Sequence, residues 1–179
     1  EVLVRDNQQE HRGELLFRLD DAPKKIAVAA AQAKLDSARL QLTAGKATYR
    51  QQLAQLQAAQ DNNAFQKKEY EREQQLVAAG VITQSRADKT RHDYDAARQQ
   101  LAAAQQQTAA VLAMLAGNAE LDPAQHPAVQ QAQAELDKAN LELSYTRITA
   151  PDDGIVTRVE QLQVGDAIGA GAAVFALIS

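Results

Sequence analysis

The sequence predicts an α+β fold: a long antiparallel α-helical coiled-coil hairpin inserted between two halves of a small β-domain. Three observations predict it. Gly13-x-x-Leu16-Phe17-x-Leu19 near the start and Gly171-x-x-Val174-Phe175-x-Leu177 at the end repeat a glycine, a branched aliphatic, a phenylalanine and a leucine in one register. Between them mostly apolar residues recur at every seventh position in two runs, Val28 to Val77 and Ala87 to Leu143. That spacing keeps one narrow stripe of a helix facing a partner as the two supercoil. A few residues around Gly80 separate the two runs, too short a connection for anything but an antiparallel reversal. The expected organisation is residues 1–20 for the first half of the β-domain, 21–145 for the hairpin and 146–179 for the second half. The hairpin tip is expected near 78–84 and an interruption near 117–127.

Each element has its own reason. Val2-Leu3-Val4 reads as a short strand, Asp6-Asn7 as a turn and residues 15–19 as a second strand. Asp20-Asp21-Ala22-Pro23 is a helix start, with acids at the positive end of the helix dipole and proline where its missing N–H is not needed. The first seam is Val28, Leu35, Leu42, Tyr49, Leu56, Asn63, Tyr70 and Val77. The positions between are mostly small (Ala31, Ala38, Gly45, Ala59), with Gln52 and Gln66 breaking the set, so the two backbones can approach closely. Asn63 reads as a register pin, a polar seam residue that gives up stability to exclude other alignments. At about 1.5 Å per residue such a helix reaches on the order of 85 Å.

The first run ends at Ala79-Gly80-Val81-Ile82, and a second helix opens at Thr83 or Ser85. Its seam is Ala87, Tyr94, Leu101, Thr108 and Leu115, with Thr90, Ala97, Ala104 and Val111 between. Gly117-Asn118 is a C-cap signal and Asp122-Pro123 a break, after which Val129, Leu136 and Leu143 resume the seam with Ala132 and Ala139. The phase survives from Leu115 to Val129, so the interruption reads as a kink or bulge in one continuous arm. Residues 144–148 return to strand-type chemistry, Ala150-Pro151-Asp152-Asp153-Gly154 is a turn, 155–159 a strand and Val164-Gly165-Asp166 another turn.

Composition excludes several classes. Aromatics are 4% and tryptophan is absent, which suits thin helix–helix seams better than a wide core. Net charge is −4 with cations scattered among acids, so no basic stripe points to nucleic acid. No apolar run approaches the roughly 18 residues of a membrane-spanning helix. Cysteine is absent, which rules out disulfides and thiol chemistry and suits an oxidising compartment. The chain opens on strand-type residues without an initiator Met and is read as a fragment of a longer protein.

The residues Leu143-Ser144-Tyr145-Thr146-Arg147-Ile148-Thr149-Ala150-Pro151-Asp152-Asp153-Gly154-Ile155-Val156, with Val164-Gly165-Asp166 and Gly171-x-x-Val174-Phe175, resemble the second lipoyl half-motif of periplasmic adaptor proteins. These are the membrane fusion proteins of the HlyD-like family. Asp6-Asn7-Gln8 with residues 13–20 is similar to the first half-motif, so the resemblance covers the whole chain. It places Gly13, Leu16, Phe17, Leu19, Gly154, Gly165, Gly171, Val174, Phe175 and Leu177 in a lipoyl-like β-domain. The long arm and Gln-His-Pro-Ala-Val at 125–129 look most like the EmrA-type branch.

That resemblance implies a non-enzymatic adaptor in the periplasm, anchored to the inner membrane in the full-length protein and assembled as a homo-oligomeric ring. Its implied partners are an inner-membrane transporter of major-facilitator type and a TolC-type outer-membrane channel, in multidrug efflux. No cofactor and no nucleic acid is implied. The family's arm tip carries an Arg-x3-Leu-x6-Ser pattern that engages the channel. Arg72, Leu76 and Thr83 stand at those spacings and bracket Gly80, with threonine keeping the hydroxyl. The plainer reading is that Leu76 packs, Arg72 is a solvated charge and Thr83 is an ordinary N-cap.

Glu10 departs from the family, which has an aliphatic there; it is expected to disturb packing or to mark an edge strand. A lipoyl or biotinyl carrier would present its lysine on a tight turn between the halves. Here the arm replaces that turn, and Lys24 and Lys25 fall in the first helical turn. His11, His92 and His126 are far apart and lack the spacing of a metal pair. Lys67-Lys68-Glu69 and its neighbours read as a solvated helix face. The alternatives to efflux are a type I secretion adaptor working with an ABC transporter and a generic coiled-coil scaffold.

Overall fold

The computed structural model describes residues 1–159, 163–169, 171–174 and 176–178. Its elements are β1 (Gln9–Glu10), β2 (Leu15–Arg18), α1 (Ala22–Ala78), α2 (Gln84–Met114), a 3-10 turn (Pro123–Gln125), α3 (Pro127–Ser144), β3 (Arg147–Thr149), β4 (Gly154–Thr157) and β5 (Ala176–Ile178). The chain divides into two compact units, Glu1–Asp36 with Gln131–Ser179, and Ser37–Gln130. The α+β class and the helical hairpin follow the sequence expectation.

In the first unit the two chain ends build one β-structure. β1 pairs antiparallel with β4 and β4 with β5, while β2 pairs with β3. Backbone bonds extend the closure: Gly13 N–H donates to the Ala150 carbonyl at 2.9 Å and Ala150 N–H to Glu14 at 2.8 Å. Strand alternation would bury only one of Leu16 and Phe17. A register shift between Leu15 and Phe17 turns both inward, to 2% and 6% exposure. They join Val4, Ala150, Val156 and Val159 in the core, with Ile148, Val174 and Leu177 packed against it.

Gly13 and Gly171 both take positive φ, +89° and +81°, so the repeated glycine has the same backbone need in both copies. Gly154 is required for another reason: a Cβ there would lie 2.6 Å from the Ile178 carbonyl oxygen. Leu19 is 39% exposed, Gly165 stands in a turn at φ +105°, and Phe175 lies outside the described residues.

Several sequence expectations are corrected. Val2-Leu3-Val4 forms no named strand: it lies beside β2 through a bridge from Val2 to Phe17 and a Leu3 N–H donated to the Leu16 carbonyl at 3.0 Å, while Gln9–Glu10 is the strand that pairs with β4. Ser144 is helical rather than strand, its hydroxyl donating to the Leu141 carbonyl one turn back. The strand expected to reach Val159 stops at Thr157, since Arg158 turns to φ +68°. Glu10 does sit on an edge strand, yet it is buried at 4% exposure, and its Oε1 has no hydrogen-bond partner. Burial pushes its carboxyl up from the ordinary value, with neighbouring Glu14 adding to the shift. Glu14 is itself held low, first by the His11 backbone N–H, which donates to it at 2.6 Å.

α1 starts where Asp20 Oδ1 accepts from the Ala22 N–H at 3.1 Å. Lys25 holds the Asp21 carboxyl below its usual range by hydrogen bond and charge. Lys24 and Lys34 reach across to Glu142 and Glu135 of α3 at 2.8 and 2.9 Å, which sets α1 and α3 antiparallel in this unit.

In the second unit α1 and α2 run antiparallel. Thr108 Oγ1 lies 3.4 Å from the Gln52 carbonyl, and Tyr70 stacks on Tyr94 at 5.8 Å between ring centroids. Every seam position from Val28 to Val77 (Leu35, Leu42, Tyr49 and Leu56 among them) is buried or half-buried, as are Tyr94, Leu101, Leu115, Val129, Leu136 and Leu143. Asn63, expected as a register pin, has its Oδ1 buried without a hydrogen-bond partner among the described residues, as does Gln52 at Oε1. The interruption, expected as a kink or bulge in one continuous arm, is a full break between two helices. α2 stops at Met114, and a new helix starts at Pro127 after the 3-10 turn that Asp122 caps through the Ala124 N–H at 2.8 Å.

Candidate functional site at the helix reversal

α1 ends in a closed hydrogen-bond pattern. Val81 N–H donates to the Leu76 carbonyl and Gly80 N–H to Val77, both at 2.9 Å, with Gly80 at φ +71°. This is the Schellman stop, in which a residue in the left-handed region satisfies two orphan carbonyls of the last turn. Glycine at that position pays no Cβ penalty. Ile82 and Thr83 then lead into α2.

The four sequence-singled tip residues fall around this stop. Arg72 and Leu76 are one turn apart on the last turns of α1; Arg72 is exposed and paired with Glu69, and Leu76 is half-buried. Gly80 is exposed in the turn. Thr83 is the N-cap of α2 with extended φ and ψ of −80° and 153°, but its side chain makes no capping hydrogen bond. An ordinary N-cap threonine satisfies an orphan N–H; here the exposed hydroxyl is left for another acceptor or donor. Val81 is 66% exposed at the apex.

Beneath the turn lies a residue that the reading of a solvated face missed. Glu73 is buried, and its Oε1 and Oε2 lie 3.2 Å from Arg86 Nε and 3.4 Å from Thr90 Oγ1. The available signal was position: Glu73 is the next seam residue one heptad after Gln66. Around it the Tyr70–Tyr94 stack continues to Arg98, whose guanidinium lies 5.8 Å over the Tyr94 ring. Asp93 raises the pKa of Lys89 by hydrogen bond and charge, so that amine stays cationic. The site offers a shaped apex with apolar, hydroxyl and cationic groups. It suits docking more than bond-making chemistry.

A β-structure closed from both chain ends, with antiparallel helices meeting at an exposed reversal, defines the periplasmic adaptor, or membrane fusion, class of protein. The crystal structure of MacA from Actinobacillus actinomycetemcomitans is similar at TM-score 0.51 and 21% identity, over 99% of this chain and 44% of that one. The family model described as EMRA, alpha-helical hairpin domain, matches residues 22–146, and the chain belongs to that family. Multidrug export protein EmrA of Haemophilus influenzae is 31% identical over 169 residues, which are 94% of this chain and 42% of that protein. A structure of the periplasmic adaptor protein EmrA is similar at TM-score 0.46 and 15% identity, over 100% of this chain and 68% of that one. The chain thus spans less than half the length of the MacA and Haemophilus proteins it matches. Among the described residues no helix is long and apolar enough to cross a membrane.

Proposed function

We propose that the chain is the lipoyl-and-hairpin part of a periplasmic adaptor in a tripartite multidrug efflux system. It joins an inner-membrane pump of major-facilitator type to a TolC-type outer-membrane channel through Arg72, Leu76, Gly80 and Thr83. Residues 1–20 and 146–179 serve as the lipoyl halves and 21–145 as the arm, held by its heptad seam. One observation carries the reading: in a chain of the EmrA hairpin family, the helix reversal exposes Gly80 and a threonine hydroxyl not used for capping.

The mechanism is geometric and needs no chemistry from this chain. Adaptors assemble as a homo-oligomeric ring, arms directed at the channel, with the full-length protein anchored in the inner membrane and energy supplied by the pump. A tip contact of this size is weak singly, and repetition around the ring raises the effective concentration of each further contact. Arg72 offers a bidentate donor fork, Leu76 an apolar edge and Thr83 a hydroxyl. Arg72→Asp and Leu76→Ser are each expected to abolish drug export in cells while leaving helicity and thermal unfolding nearly unchanged. Full export by both variants removes the tip assignment.

A further inference from the structure

Glu73 is out of place for a packing residue. It occupies a seam position on α1, and its side chain is 8% exposed. Burying a carboxylate there is unfavourable where a well-packed leucine would not be, unless partners compensate. The partners come from the first turns of α2: Arg86 Nε at 3.2 Å and Thr90 Oγ1 at 3.4 Å. The Thr90 hydroxyl has one proton, and its shorter contact is the Ala87 carbonyl at 2.9 Å, so Arg86 is the constant partner.

Away from the tip this unit's register has its own support: Tyr70 stacks on Tyr94 and Leu115 presses on Gly45. On the tip side of that stack, Glu73 and Arg86 tie the first turns of α2 to α1. The buried amide oxygens of Gln52 and Asn63 have no hydrogen-bond partner among the described residues. Only the Glu73 end of the pair is buried, since the Arg86 side chain is 69% exposed, so losing Arg86 would leave a buried carboxylate without its cation.

We propose that Glu73 is the positioning residue of the tip: its pairing with Arg86 sets the register of the first turns of α2 on α1, and so fixes where Thr83 stands relative to Arg72 and Leu76. The consequence for channel docking rests on the function proposed above; the register does not.

Spin labels at the exposed positions Lys68 and His92 of the full-length adaptor read the register directly. The parent and Glu73→Gln, which keeps an acceptor for Arg86, should give a single distance. Glu73→Leu should keep its helicity and thermal midpoint yet add a second population at a distance the parent does not show. In the same variant, crosslinking from position 83 to the outer-membrane channel should fall several-fold. One unchanged distance in Glu73→Leu overturns the proposal. If the parent itself crosslinks no channel from position 83, the docking reading fails instead, and the spin-label distances still decide the register.

Discussion

At the reversal α1 stops on a glycine; at the break α2 stops on an alanine. The hydrogen bonds are the same in kind. Val81 N–H reaches back to Leu76 and Gly80 N–H to Val77, while Gly117 N–H reaches back to Leu112 and Ala116 N–H to Ala113. The residue that must turn left-handed is Gly80 at φ +71° in one and Ala116 at φ +57° in the other, with Gly117 one place late. A Cβ in that region costs about 1–2 kcal/mol.

The break tolerates this because tertiary contacts hold it. Leu115 is 2% exposed and presses on Gly45, where an added Cβ would lie 3.1 Å from it. Lys46 Nζ donates to the Leu121 carbonyl at 2.9 Å. At the tip Val81 stands in solvent and the tie between the helices, Glu73 with Arg86, lies below the turn, so α1 stops there by its own local chemistry. A helix end that stops on a glycine thus closes with little outside help, whereas one folded back on its neighbour can carry strain.

The largest expected effect separates the two ends by packing. Leu115→Ala should cost about 2–4 kcal/mol in urea unfolding, the range for a buried leucine. Val81→Ala at the tip should stay within about 0.5 kcal/mol. Equal costs would erase the contrast.

A smaller effect tests the caps. Gly80→Ala should lose about 1 kcal/mol and Ala116→Gly should gain up to about 1 kcal/mol, since only glycine enters the left-handed region freely. A gain at both positions, read from thermal midpoints, would show that neither cap governs its helix end.

The smallest effect at neutral pH is a control in the other unit. Glu10 has a raised folded pKa, so its contribution to stability is complete below the unfolded value and is lost as pH rises through the folded one. Glu10→Gln should therefore stabilise at neutral pH and do little in acid, with the contrast between the two helix ends unchanged. Stabilisation in acid alone would reverse the sign and remove the burial explanation.

Legibility followed the range of the interaction. The seven-residue period named which faces are covered, because a helix face is a local property of the chain. Gly80 announced its turn because its backbone need is its own. Glu73 was passed over because a charged residue reads as solvated until Arg86 and Thr90 are brought beside it. Asn63 shows the converse: its seam position was legible, while the burial of its Oδ1 without a hydrogen-bond partner was not. The pairing of Gln9–Glu10 with β4 and the bulge that buries both Leu16 and Phe17 were invisible for the same cause.

By itself the sequence determined the α+β class, the two helical runs, the reversal at Gly80 and the split β-domain, all of which rest on local periodicity, turn chemistry and an internal repeat. Tertiary structure alone decided that Ala116 is forced left-handed, that Glu73 is buried and that Glu10 lies covered on an edge strand. Each of those depends on side chains distant in sequence whose contacts outweigh the local preference of the residue.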